Sequence, residues 1–334
     1  MVQALHLPPR DGHDIPVRTM TRRLMGLVAA SALCLLPNAA YAHPGAALEP
    51  HDLWRAWSAA PGVLLGCLVA VALYARGVRV IRRRAGTRLV SPWRVRSFAA
   101  AIAALLIALV SPLDALAGSL FSAHMVQHLL LMMVAAPLLV LGDPMTAMLW
   151  ALPPRGRRGV GLWWRRRRTL RAVWRAIASP GGAWILHVVA LWIWHVPALY
   201  DRAVADGAVH VLEHLAFLGT ALLFWWVPFK AHGRRVGGGT ALIYLFGAVL
   251  QGTILGALLA LARLPLYTAH FGTTRAWGLT PLEDQQLAGL LMWVPAGFVY
   301  LAALVPLALR VLRQPPDQGV RVLATAGVSA RGTP

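Results

Sequence analysis

Seven times after residue 50 the chain runs for about twenty residues almost free of charge. That is the length an α-helix needs to cross the roughly 30 Å hydrocarbon core of a bilayer. The runs fall near 58–75, 97–113, 119–141, 181–199, 208–229, 240–262 and 286–309. Backbone polar groups in hydrocarbon have no water to bond, so each run has to satisfy itself as a helix. Only 13% of the residues are charged and 58% are hydrophobic, against about 25% charged in soluble domains. The expectation is an all-α, polytopic integral membrane protein with seven transmembrane helices.

A secretory signal precedes the first span. "TRRLMGLVAASALCLLPNAAYA" offers Arg22 and Arg23, an apolar stretch and the small-residue site Ala40-Tyr41-Ala42. Residues 1–42 therefore read as a cleavable signal peptide. Translation starting at Met20 fits better, because Asp11, Asp14 and several prolines suit a signal poorly. Cleavage leaves His43 as the new N-terminus. It is followed by an external segment at 43–57, a seven-helix membrane domain at 58–312 and a disordered cytoplasmic tail at 313–334. Cys34 falls in the signal and Cys67 stands alone in an apolar run, so no disulfide or Cys-x-x-Cys motif is on offer.

Arginine sets the orientation. Eight lie between residues 76 and 96 and nine between 142 and 180; Lys230, Arg234 and Arg235 follow the fifth span, and Arg310, Arg313, Arg321 and Arg331 follow the seventh. The alternate loops hold only Arg55, Arg202, Arg263 and Arg275. Positive residues stay cytoplasmic, so the mature N-terminus is expected outside and the C-terminus inside. The net charge of +20 is thus a topological anchor with some attraction to anionic lipid, and nucleic acid is not the partner.

Histidine follows the opposite bias. His124 and His128 on the third span, and His210 and His214 on the fifth, are i,i+4 pairs that share one helical face about 6 Å apart along the axis. Both spans enter from outside, and the fourth ends outward in "WIWHVPALYD" with His195. Bilayer insertion does not ask for imidazoles there, and ionisable groups at that depth mark function. These five make the candidate metal site. Neutral imidazole suits copper, zinc, iron and nickel, and thioether favours Cu(I), so Met125, Met132, Met292 and the His43 terminus are weaker candidates. Asp114, Glu213 and Asp284 are candidate partners that orient the ligands. Copper is the favoured ion; a haem between His128 and His214 is the rival. "HVLEH" at 210–214 has the H-x-x-E-H spacing of inverted zinc proteases, but no other catalytic motif accompanies it, and the chain is not read as an enzyme. A permease would continue polar groups into the other half of the membrane, where His187 and Gln251 are the available residues.

The strings "SAHMVQHLLLMMVAAPLLVLGDP", "WIWHVPALYD", "HVLEHLAFLGTALLFWWVPF" and "DQQLAGLLMWVPAG", in that order, resemble the signatures of the CtaG-like, caa3-type cytochrome c oxidase assembly factors. The resemblance covers roughly residues 50–312. It implies a seven-helix protein of the bacterial inner membrane that works with oxidase subunits in respiratory-chain biogenesis, usually interpreted as copper delivery. A periplasmic copper chaperone is then an implied upstream partner. The motif residues it carries over are His124, Gln127, His128, Pro137, His195, Pro197, His210, Glu213, His214, Asp284, Gln285, Met292 and Trp293.

Overall fold

The computed structural model describes residues 48–86, 90–230 and 238–312, so the signal segment, His43 and the tail lie outside the described residues. Every regular element among them is helical, and two are short 3-10 turns (Pro50–Arg55 and Thr274–Trp277), separate in the chain from the longer helices. In chain order these are α1 (Pro61–Ala85), α2 (Pro92–Leu109), α3 (Pro112–Ala117), α4 (Phe121–Leu129), a π-helical turn (Leu130–Ala135), α5 (Ala136–Gly142), α6 (Pro144–Ala151), α7 (Pro154–Arg166), α8 (Arg168–Ile177), α9 (Pro180–Trp194), α10 (Pro197–Ala205), α11 (Gly207–Lys230), α12 (Gly238–Ala260) and α13 (Pro281–Leu312). Most of them begin on proline, whose fixed φ is ready for a helix and whose missing N–H would have had no partner in the first turn.

Six segments are long and apolar enough to span a membrane, and the bent pair α8–α9, broken by 69°, makes a seventh if counted as one. The fourth span is where expectation and structure differ most. Instead of 181–199, α9 stops at Trp194. Val196 takes extended backbone (φ −65°, ψ 123°) and Pro197 opens α10, because the residue before a proline is pushed out of the helical region. Two other helices outrun the apolar stretches that announced them. α1 carries on through Arg82, Arg83 and Arg84 to a left-handed Gly86. α13 starts five residues before the expected 286, because Thr280 and Glu283 cap it reciprocally: the Thr280 N–H donates to Glu283 Oε2 at 2.8 Å and the Glu283 N–H to Thr280 Oγ1 at 3.3 Å.

Hydrogen bonds sort the connections into two ends. At the arginine end, Tyr74 donates to the Gly142 carbonyl, Arg76 to the Ala151 carbonyl, and Arg94 meets Asp143. At the opposite end, Ser58 N–H reaches the Val110 carbonyl, Thr273 Oγ1 reaches Ser119 O, Tyr267 Oη reaches His195 O and Trp277 Nε1 reaches Leu48 O. His124, His128, His195, His210 and His214 lie toward this second, histidine end. The Gly252-x-x-x-Gly256 motif packs internally, and through one of its glycines: a Cβ on Gly256 would stand 2.8 Å from the Gly289 carbonyl of α13, whereas Gly252 has open space. The main apolar core joins α5, α9, α11, α12 and α13 around Phe217, Phe224, Trp225 and Leu245.

Candidate metal centre

α4 and α11 bring their histidine pairs face to face. One donor atom from each of His124, His128, His210 and His214 lies within 4.8 Å of those of the other three. Ring centroids are 4.3 Å apart within the α4 pair and 4.2 Å within the α11 pair; across the helices they are 5.1 Å (His124–His210) and 5.3 Å (His128–His214). A tetrahedral ion with nitrogen ligands at about 2 Å sets its donors roughly 3.3 Å apart, so a small contraction would close the four on one ion.

A carboxylate adjoins the α4 pair. Glu213 Oε2 lies 3.4 Å from His124 Nε2 and 3.8 Å from His128 Nε2, with all three side chains about 1% exposed. None of these contacts is a hydrogen bond: His124 Nε2, both His128 nitrogens, His210 Nε2, His214 Nε2 and Glu213 Oε2 are buried without a hydrogen-bond partner. Buried polar groups are nearly always satisfied, and each that is not costs about 1–3 kcal/mol. Five residues orphaned around one point fit a cation, which would satisfy them together.

Of the five candidate histidines the structure brings four together. His195 caps the C-terminus of α9 and stands to one side. Its Nδ1 is 2.7 Å from the Leu191 carbonyl, which only accepts, so Nδ1 carries the proton and the buried Nε2 keeps its lone pair unpartnered. It is not one of the four grouped imidazoles, and Phe217 lies against both it and His128, with ring centroids 6.3 Å from His195 and 4.6 Å from His128.

The expected carboxylate partners divide into three roles. Glu213 borders the cluster, against His124 and His128. Asp284 instead caps α4 from another helix, accepting from Phe121 N–H (2.7 Å), Ser122 N–H (3.1 Å) and the Ser122 hydroxyl. Asp114 accepts at 2.8 Å from Gln127 Nε2, which also donates to the Ala108 carbonyl. Asp284 therefore fixes where α4 begins, and Gln127 ties its mid-part to α2 and α3. Met125 and Met292 pack with Phe121, Tyr200 and Leu255.

Two features escaped the sequence reading. The first is the π turn after His128. The Ala136 N–H bonds Leu131 O, five residues back, so the next carbonyl in that register, Met132 O, would take its proton from residue 137. Proline there has none, and Trp225 Nε1 supplies the bond at 2.9 Å. Such turns concentrate at functional sites, and Pro137 in mid-span was the available signal. The second is the cap over the site, where the Tyr200 hydroxyl lies 2.7 Å from His270 Nε2 and Asp201 holds Thr268 and Ala269. Burial pushes the His270 imidazole down to about 4.

A family model described as cytochrome c oxidase caa3 assembly factor matches residues 72–314. The chain belongs to that family. It is also 27% identical over 258 residues to uncharacterized protein Mb0105 of Mycobacterium bovis and to uncharacterized protein MT0111 of Mycobacterium tuberculosis. The match takes in 75% of this chain but 38% of each mycobacterial protein, so the chain spans well under half the length of those relatives. No solved structure matches. The family match covers every histidine of the cluster and the π turn.

Proposed function

We propose that this caa3 assembly factor holds copper in the four-histidine group and passes it to an oxidase subunit during maturation. The observation that carries the reading is the set of unpartnered, buried nitrogens from two helices gathered within 4.8 Å. Copper is cargo here, and the chain performs no catalytic step. Neutral imidazoles are ligands for Cu(I) and Cu(II) alike, and the adjacent Glu213 supplies the negative charge that offsets a cation in a low-dielectric site. A compact ion is favoured over haem because Phe217 and Tyr200 pack directly on the His128 and His124 rings, which leaves no slot for a macrocycle.

The arginine distribution supports the bacterial inner membrane with the histidine end facing the periplasm. That is the side from which a copper chaperone would deliver and on which a recipient subunit would dock. Arg-rich α7 and α8, with exposed Trp163 and Trp174 among their arginines, have the composition of interfacial helices on anionic lipid. The test is copper per chain in purified protein, with His124→Ala and His214→Ala controls. Wild type retains copper after Cu(I) loading and the variants lose it; wild type that stays copper-free ends the assignment. In a deletion strain, complementation by the histidine variants should leave oxidase activity low.

A further inference from the structure

Beneath the four imidazoles, toward the arginine end, lies a cavity of about 40 Å³ whose lining includes Met125, His128, Met132, His195, Gln251 and Met292. One water needs roughly 10–15 Å³ of such volume, so the space takes two or three waters or one ion and little else. Its walls are chemically selective. Met125, Met132, Met133 and Met292 all line it, whereas Met145 is exposed and Met148 packs in a separate cluster between α1, α2 and α6. The π turn sets Met132 and the adjacent Met133 both on this wall.

His195 adds a nitrogen donor with its tautomer already chosen. Nδ1–H is spent on the Leu191 carbonyl, and Nε2 is buried without a partner on a residue 7% exposed. A second ring nitrogen bonded to a backbone carbonyl is the usual arrangement of a metal-binding histidine. His128 belongs to both places: it is one of the four clustered imidazoles and part of the cavity wall, with both nitrogens unpartnered. Waters would satisfy His195, but they give no reason to gather thioethers, the soft ligands that select Cu(I).

We propose that this cavity is a second holding site for a soft monovalent ion, Cu(I), with thioether donors from Met125, Met132 and Met292 and a nitrogen from His195 Nε2. The inference rests on the copper reading of the four-histidine group, with which it shares His128 as a common wall. The ion remains Cu(I) in both places and no electron is exchanged. A thioether-rich inner station and an imidazole-rich station nearer the surface give one ion two different ligand sets along a single path, so it can be stored in the one and released from the other.

The experiment titrates the purified full-length chain with Cu(I), and in parallel with Ag(I) as a redox-inert probe, and reads stoichiometry together with the ligand shell by X-ray absorption. Wild type should take one ion at each site, with sulfur scatterers in the averaged shell. Met132→Leu with Met292→Leu should lose one ion and all sulfur scattering while keeping a nitrogen-bound ion. His210→Ala with His214→Ala should keep a sulfur-bound ion. A wild-type shell of nitrogen alone, or a methionine variant that keeps both ions, or one that loses both while still folded by circular dichroism, overturns the inner site. If the imidazole variant keeps both ions, the four-histidine reading fails instead.

Discussion

The two ends of this bundle treat their buried polar groups in opposite ways. Around α1, α2 and α6 most are paired, the Ser97 hydroxyl on α2 excepted: Tyr74 stacks on Phe98 at 3.9 Å and bonds Gly142 O, and Asp143 takes both Arg94 and Thr146. Between α4 and α11, four imidazoles and an adjoining carboxylate each keep at least one buried atom without a hydrogen bond. A paired polar group stabilises the fold, whereas an unpaired one in the same medium destabilises it by about 1–3 kcal/mol. The first end is therefore organised mainly for stability, and the second trades stability for the proposed copper site.

The largest effect expected from this contrast is at Gly77. A Cβ there would sit 1.8 Å from the Ala147 carbonyl, so Gly77→Val has to push α1 off α6. Overpacking typically costs about 1–3 kcal/mol and more against rigid backbone; the variant should give little folded protein by gel filtration in detergent. Next is His128→Leu, which removes two orphaned nitrogens. It should raise the stability of metal-free protein by about 1–2 kcal/mol in a denaturant titration while copper binding falls. A loss of stability in the metal-free state would erase the proposed contrast between the two ends.

Smaller effects sharpen it. Tyr74→Phe leaves the buried Gly142 carbonyl unpaired and should cost about 1 kcal/mol, opposite in sign to His128→Leu, with copper binding unchanged. The smallest concerns the cap over the site. His270 has its imidazole lowered from 6.5 to about 4 by burial. The opened cap therefore takes up a proton that the closed one refuses. Closure is full above pH 6.5 and weakens as pH falls toward 4. Hydrogen exchange across 264–278, corrected for intrinsic rates, should be faster at pH 5 than at pH 7; equal protection would disconnect His270 from the cap.

Much of the architecture was legible because its causes are local. Hydropathy placed the spans, and spacing of four put His124 with His128 and His210 with His214. The differences were local as well: Pro197 ended a helix that apolar composition would have continued, and the Thr280–Glu283 cap started one five residues before the apolar run at 286. The role of Asp284 was not legible, since nothing near residue 284 announces that its carboxylate caps the helix starting at Phe121.

From its sequence alone, this protein was bound to be a helical membrane protein with histidine stripes on its third and fifth spans. Apolar length and the 3.6-residue period act within one segment and need no knowledge of neighbours. Only the tertiary structure decided that the two stripes face each other, that His195 lies outside the four-histidine group, and that four methionines line a cavity beneath the imidazoles. Those are relations between helices remote in the chain, set by how side chains of different spans interlock, and no periodicity within a single segment encodes them.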